Sequence, residues 1–379
     1  MSTQDRPPHI LHCHSTFSAG GKERRAVQLM NAFGPQIRHS VVSAMPHERA
    51  ALEWVDPEIE VDFPEGFPSL TGPPLPWRWA SLAKAMAGFD LILTYNWGAM
   101  DAVMSHRLFG QSQGLAALIH HEDGFNEDEI DALMRRRNWF RRAALGKAHS
   151  VIVPSKVLEC VALQAWHQPR ARVVQIPNGI DTARFAAQAD PAALSITKGE
   201  NERWVGTLAG LRPVKCLPAL VKAFARLPDN WKLVIVGDGP ERTAIIESAR
   251  QLGIEQRVCL PGAIDKPEAV IGLFDILALS SQSEQFPLSV IEAMAAGLPV
   301  AAPAVGDIPN IVAPENLDFI TPPNDGDALG ETLLRLAHDR AGRAAIGAAN
   351  QSRASALFDK AGMIERYRAV YERAMGREL

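Results

Sequence analysis

Two glutamates, Glu284 and Glu292, stand eight residues apart in residues 280–300, S-S-Q-S-E-Q-F-P-L-S-V-I-E-A-M-A-A-G-L-P-V. The apolar run 273–279 reads as a buried strand ending in small polar residues, and a loop carrying Glu284 follows it. From Pro287 the pattern turns helical, with Leu288, Ile291, Met294 and Ala295 on one face. Pro287 suits the first helical turn, and Gly297 with Pro299 supplies the stop. A helix N-terminus presents free backbone N–H groups and is a ready site for an anion. Glu284 in the loop and Glu292 in the helix can then face one crevice. As packing alone, the pair is a solvated loop residue and a surface helix residue.

Other residues add complementary chemistry. Arg212 and Lys215, at the top of a strand and before a helix, suit a diphosphate clamp that stabilises leaving oxygens. The run 115–119 reads as a strand that delivers His120 and His121 at its carboxyl end. Histidine there can bond a hydroxyl or carry a proton near neutral pH. Adjacent histidines in a strand point to opposite faces, so they make a poor chelating pair. No H-E-x-x-H pattern accompanies them and no D-x-D motif stands in a suitable loop, so no metal site is expected. Gly20 and Gly21 follow a first strand, 9–13, and precede a helix beginning near Lys22, where backbone can approach a ligand closely. The G-x-G-x-x-G fingerprint of a dinucleotide site is absent. Asn96 follows the strand run 91–94 and is an acceptor-side candidate with Lys22 and His121.

Strands and helices alternate along the whole chain, which predicts a doubly wound α/β architecture. With 379 residues, two domains are the natural division. We place them at 1–180 and 181–360, with a last amphipathic helix, about 361–379, packing back on the first. Residues 151–155 read as the last strand of the first domain, and Pro177, Asn178, Gly179 and Asp181 as an exposed turn. A helix is expected over 126–147, acidic at its start and basic at its end, as the helix dipole favours. Its arginines beside Trp139 and Phe140 also suit contact with anionic lipid headgroups. A net charge of −4 gives no reason to expect nucleic acid. Four scattered cysteines, no signal-peptide pattern and no membrane-length apolar run predict a cytoplasmic protein, with peripheral contact at the inner face of the membrane.

Residues 280–300 resemble the E-x7-E signature of the retaining glycosyltransferases of family 4, matching E-x-F-P-L-S-x-x-E-A-M-A-x-G-x-P-V. I-P-N-G-I-D at 176–181 resembles the family's linker, and L-R-P-V-K-C at 211–216 its L-R-P-x-K-G segment, with Cys216 where glycine is usual. G-D-G-P at 237–240 matches a structural motif, and P-G-A at 261–263 resembles the nucleobase-holding segment. The resemblance implies a GT-B fold: two facing Rossmann-like domains, the first binding the acceptor and the second the donor, with a cleft between them. It implies transfer from a UDP- or GDP-linked sugar, without a further cofactor, to a glycan or lipid-linked acceptor in polysaccharide or glycolipid synthesis. Glu284 would hold the donor sugar and Glu292 the ribose. Gly20, Gly21, Arg212, Lys215, Phe286, Pro287 and Leu288 would line the donor and its diphosphate. His120, or else its neighbour His121, would lie near the donor sugar. A nucleotide-sugar epimerase of the same fold is the alternative; it would convert donor without an acceptor. A nicotinamide dehydrogenase lacks its glycine fingerprint, and a two-lobed binding protein would normally carry an export signal.

Overall fold

Short apolar runs separated by polar turns are too brief for helices yet continuous enough to be buried on both faces, as parallel strands are. The computed structural model, which describes residues 6–125, 129 and 133–379, pairs them in that way. Met1–Pro177 with Met363–Leu379 form one unit, and Asn178–Gly362 the other.

The first unit holds a seven-stranded parallel sheet in the order β3-β2-β1-β4-β5-β6-β7. Its strands are β1 (His9–His14), β2 (Arg38–Ser43), β3 (Val61–Asp62), β4 (Leu91–Tyr95), β5 (Leu118–His121), β6 (Ser150–Val153) and β7 (Val173–Gln175). Its helices are α1 (Gly21–Phe33), α2 (Pro76–Ala85), α3 (Met100–Phe109), α4 (Arg135–Ala144) and α5 (Lys156–Gln164). Strand order reverses between β1 and β4, the switch point at which open α/β sheets bind ligands beyond the strand ends. Residues 15–20 and Asn96 emerge there.

The second unit repeats the plan with six parallel strands in the order β10-β9-β8-β11-β12-β13. Short α6 (Thr182–Ala186) precedes β8 (Arg203–Leu208), α7 (Leu217–Phe224), β9 (Trp231–Val236), α8 (Arg242–Gln251) and β10 (Val258–Gly262). Then come β11 (Ile276–Ala278), α9 (Leu288–Ala295), β12 (Val300–Pro303), α10 (Ile308–Ile311), β13 (Ile320–Thr321), α11 (Gly326–His338) and α12 (Arg340–Leu357). Its switch point lies between β8 and β11. The last helix, α13 (Lys360–Met375), buries Met363, Tyr367, Val370 and Tyr371 in the first unit's core with Ile10, Leu93 and Tyr95.

Several expectations shift. β5 starts at Leu118, so both histidines lie inside the strand and not after it. β6 is not the last strand of its sheet, because residues 173–175 pair in parallel with it as β7 before the linker. The expected strand 273–279 shrinks to β11, since residues 271–273 form a 3-10 turn that seats Phe274 in the core. Pro261 and Gly262 belong to β10 and not to a turn after it, with a bulge between Cys259 and Gly262. Cys259 is half-buried. Within the expected helix 126–147, residues 126–128 and 130–132 lie outside the described residues, and α4 begins only at Arg135. Three arginines thus fill its first turn, opposite to what the dipole favours.

Candidate active site

In the second unit the carboxyl ends of β8 and β11 deliver two loops that are stitched together. The Ser280 hydroxyl donates to the carbonyls of Lys215 (2.8 Å) and Cys216 (3.0 Å), and the Gln282 N–H donates to Val214 O (2.9 Å). That seam brings side chains 69 residues apart into contact: Lys215 Nζ donates to Glu284 Oε1 at 2.5 Å. The Ser281 hydroxyl donates to the same oxygen at 2.7 Å. Both charged side chains stay partly accessible, 17% for Lys215 and 10% for Glu284. With Thr207, Ser280 and Ser289 they line a recess holding only about 10 Å³ of water-sized space, so the ion pair nearly fills it.

Backbone sterics fix both loops. Gly306 has φ +55°, and a Cβ there would stand 2.1 Å from the Glu284 carbonyl oxygen, so only glycine lets the β12 turn support the Glu284 loop. The Asp307 N–H donates to Gln285 O beside it. Gly237, at φ +141°, lies against the Ala209 carbonyl in the same way, on the loop that carries Arg212. Arg212 is exposed at the start of a 3-10 turn, Pro213–Lys215. Cys216 follows in the left-handed conformation (φ 46°, ψ 40°), which explains why glycine suits that position.

Pro287 is the residue preceding α9 and not in its first turn, and it offers no side-chain cap. The Val290 N–H donates back to Pro287 O at 3.2 Å, and the N–H groups of Leu288 and Ser289 ahead of it are left for acceptors outside the helix. Glu292 lies three residues beyond Ser289, hence on the same helix side as the recess. Phe286 does not turn its side chain to the site: it is buried against Phe358 at 5.7 Å between ring centroids, and Leu288 packs on the same core. Its helix needs an apolar anchor on the core side, and this residue supplies it.

In the first unit Gly20 caps α1 in extended backbone and Gly21 is the first helical residue. Lys22 is not a free cation; its amine bonds Glu23 and Thr16, and Glu23 is buried instead of facing solvent. Asn96 Oδ1 accepts the Asp123 N–H at 2.8 Å, so that oxygen supports the loop after β5 and is not offered to an acceptor. Asp123 in turn holds Arg25 of α1 through both carboxylate oxygens.

The two histidines part, as strand alternation requires. His121 is enclosed by Tyr95, Tyr367 and Tyr371, its Nε2 2.9 Å from the Tyr371 hydroxyl and its Nδ1 3.3 Å from Thr94 O. Both nitrogens are spent on the core, which overturns its reading as an acceptor contact. Burial holds its pKa well below the usual histidine value. His120 points the other way, Nδ1 2.9 Å from the Thr94 hydroxyl and Nε2 3.7 Å from Glu122 Oε2. That Nε2 and Glu122 Oε1 are buried without a hydrogen bond.

Glu122 opens a charge cluster that sequence reasoning missed. Arg141 Nε donates to Glu122 at 3.1 Å, and Arg141 Nη1 and Arg137 Nη1 donate to Glu129 at 3.2 and 3.0 Å. Although burial opposes ionisation of Glu129, these arginines hold its carboxyl below the usual range. Rings of Trp97, Phe125 and Trp166 surround the Arg141 guanidinium at 5.0–5.3 Å. Arg141 is therefore interior and not part of the expected basic face, of which Arg135, Arg136 and Arg142 remain exposed beside Trp139. Among the described residues, no group of three His, Cys, Asp or Glu side chains is arranged to hold a metal, and no helix is long and apolar enough to cross a membrane.

Residues 194–353 match the family described as glycosyl transferases group 1, and residues 19–184 match glycosyltransferase family 4. The chain is 28% identical over 208 residues to N-acetyl-alpha-D-glucosaminyl L-malate synthase of Bacillus anthracis, covering 54% of each. It is 36% identical over 179 residues to D-inositol 3-phosphate glycosyltransferase of Mycobacteroides abscessus, covering 44% of this chain and 40% of that one. These matches span about half the length of the relatives or less. Among solved structures, HepE of Anabaena in complex with UDP superimposes with a TM-score of 0.78 at 20% identity, covering 95% of this chain and 98% of that one. Sucrose-phosphate synthase of Thermosynechococcus elongatus gives 0.74 at 22% identity, covering 97% and 99%. At such identities the likeness shows the fold, two Rossmann-like parallel-sheet units of the GT-B class.

Proposed function

Because this chain belongs to the group 1, family 4 glycosyltransferases, we propose that it moves a sugar from a nucleotide-diphospho-sugar to an acceptor hydroxyl with the anomeric configuration retained. The observation that carries this reading is the Lys215–Glu284 pair, set beside the uncapped start of α9. A diphosphate arriving there competes with Glu284 for the Lys215 ammonium. Once Lys215 turns to the phosphate, Glu284 is released to accept hydrogen bonds from donor-sugar hydroxyls, with Ser281 still orienting it. Binding thus converts an internal ion pair into two contacts with the donor. Arg212, Lys215 and the N–H groups of α9 offset charge that develops on the leaving oxygens, which lowers the barrier to glycosidic cleavage without a metal. Glu292 takes the ribose hydroxyls.

UDP and GDP are both candidate carriers: HepE was crystallised with UDP-glucose, and a mannosyltransferase of Mycobacterium tuberculosis, 29% identical over 262 residues, is described as GDP-mannose-dependent. The acceptor class we favour is a glycan or a lipid-linked glycan, met in the cytoplasm at the membrane face, with Arg135, Arg136 and Trp139 as the lipid-facing group. Thermal stabilisation by UDP- and GDP-sugars identifies the donor, since a ligand of the folded state raises its apparent stability. Glu284→Ala is then expected to lower transfer by about 100-fold or more while circular dichroism stays unchanged. Undiminished turnover in that variant ends the assignment.

A further inference from the structure

A recess of about 400 Å³ opens in the first unit at the carboxyl ends of β2 and β3, and no residue assigned above lines it. Its volume lies within the range of small-molecule sites. Its floor is continuous with the segment that leads to Gly20. Ser43 Oγ donates to Ser15 O (3.3 Å), the Ala44 N–H donates to His14 O (3.1 Å), and the nearby Ala51 N–H donates to Phe17 O (3.1 Å). The recess and the residues 15–20 loop are therefore one hydrogen-bonded piece of backbone.

The lining is mixed in a particular way. Phe63 and Phe67 are half-buried, so each ring keeps accessible surface. Glu48, Arg49 and Glu65 are exposed at the rim. The Arg49 guanidinium lies over the Phe63 ring at 4.1 Å, and its Nε donates to Pro46 O at 2.9 Å, which holds the donor group in place before any ligand arrives. Among the described residues, no ion pair engages Glu48 or Glu65.

These groups select among ligand classes. A phosphate would meet two carboxylates for one guanidinium. An alkyl chain would cover three charged groups without replacing their hydrogen bonds to water, which is costly. A neutral pyranose meets both demands: its C–H face lies on an aromatic ring, and its hydroxyls donate to carboxylates and accept from arginine. We propose that this recess binds a neutral sugar residue of the acceptor. The inference rests on the transferase reading for the word acceptor, and on the recess alone for the word sugar.

The test is saturation-transfer NMR on the full chain with a mixture of methyl α-D-glucoside, methyl α-D-mannoside, methyl α-D-galactoside and methyl N-acetyl-β-D-glucosaminide. Glucose 6-phosphate and short-chain phosphatidylglycerol are run separately. Saturation is expected on at least one neutral glycoside, reduced about tenfold by both Phe67→Ala and Glu65→Lys, with thermal stabilisation by UDP or GDP unchanged in the variants. Absence of glycoside signal, equal signal in the variants, or signal only from the phosphosugar or the lipid overturns the proposal. Should Phe67→Ala fail to fold, the surface change Glu65→Lys decides alone. If glycosides bind as expected while neither nucleotide stabilises the wild-type chain, the transferase reading falls and the sugar site stands.

Discussion

The first unit buries Glu23, Arg25, Glu122, Glu129 and Arg141 to 5% exposure or less, together with His12, His14, His39, His120 and His121. In the second unit, Asn316 and Asn350 bond backbone around β12, and Arg257 donates to the carbonyls of Leu227 and Pro228. Its Lys215 and Glu284 keep contact with water. Of the 11 histidines, only His338 belongs to the second unit. One Rossmann-like plan thus carries two electrostatic designs. Interior charges that compensate one another position backbone, and neither partner can leave without stranding the other. Charges near the surface can change partners at low cost, which is what the exchange proposed for Lys215 and Glu284 requires.

Acid should break the comparison most strongly. Burial, with His9 adding repulsion, holds His39 at about 4. Burial likewise keeps His12, His14 and His121 well below the usual value. Each is neutral in the folded state and takes up a proton on unfolding once the pH drops below 6.5. Its contribution is therefore complete above that pH and lost as the pH falls toward the folded value. For His39 alone this amounts to about 3 kcal/mol, and the other three add to it. Hydrogen exchange followed by mass spectrometry is expected to show protection in the first unit collapsing between pH 6.5 and 4 while the second unit persists. Simultaneous loss in both units would remove the distinction.

Arg141→Met tests the same idea at neutral pH. It leaves Glu122 and Glu129 without their shared arginine and is expected to cost the first unit about 3–5 kcal/mol, read as faster exchange in β5 and α4. Unchanged protection there would mean that Arg137 suffices. The smallest effect belongs to Cys216. Cys216→Gly should leave stability within about 1 kcal/mol, because relief of the left-handed backbone offsets glycine's larger chain entropy. Cys216→Val should cost about 1–2 kcal/mol, visible as a lower Tm. Equal Tm values for the two variants would show that this turn carries no strain.

Much of the second unit was legible because its signals are local. The run around β9 and the face Leu288, Ile291, Met294 and Ala295 announce their elements by period alone. Cys216 marked a glycine position, and the structure supplies the left-handed turn that explains it. The first unit hid more. Arg141 reads as a basic surface residue in a cluster of arginines, and nothing in its neighbourhood indicates that Trp97, Phe125 and Trp166 will enclose it. His120 and His121 carried no mark of which would face the core, since that depends on where β5 begins. Phe286 resembled a motif residue and is an anchor in the core. Gly306 gave no signal at all, because its constraint is the Glu284 backbone 22 residues earlier.

By itself, then, the amino-acid order determined the alternation of strands and helices, the family, and which side chains carry charge. Partnership was decided only in three dimensions. Lys215 meets Glu284 across 69 residues and Arg25 meets Asp123 across 98, because strand order reverses at β1/β4 and at β8/β11. A parallel sheet brings the carboxyl ends of distant strands side by side, and Coulomb energy depends on that distance and burial and not on sequence separation.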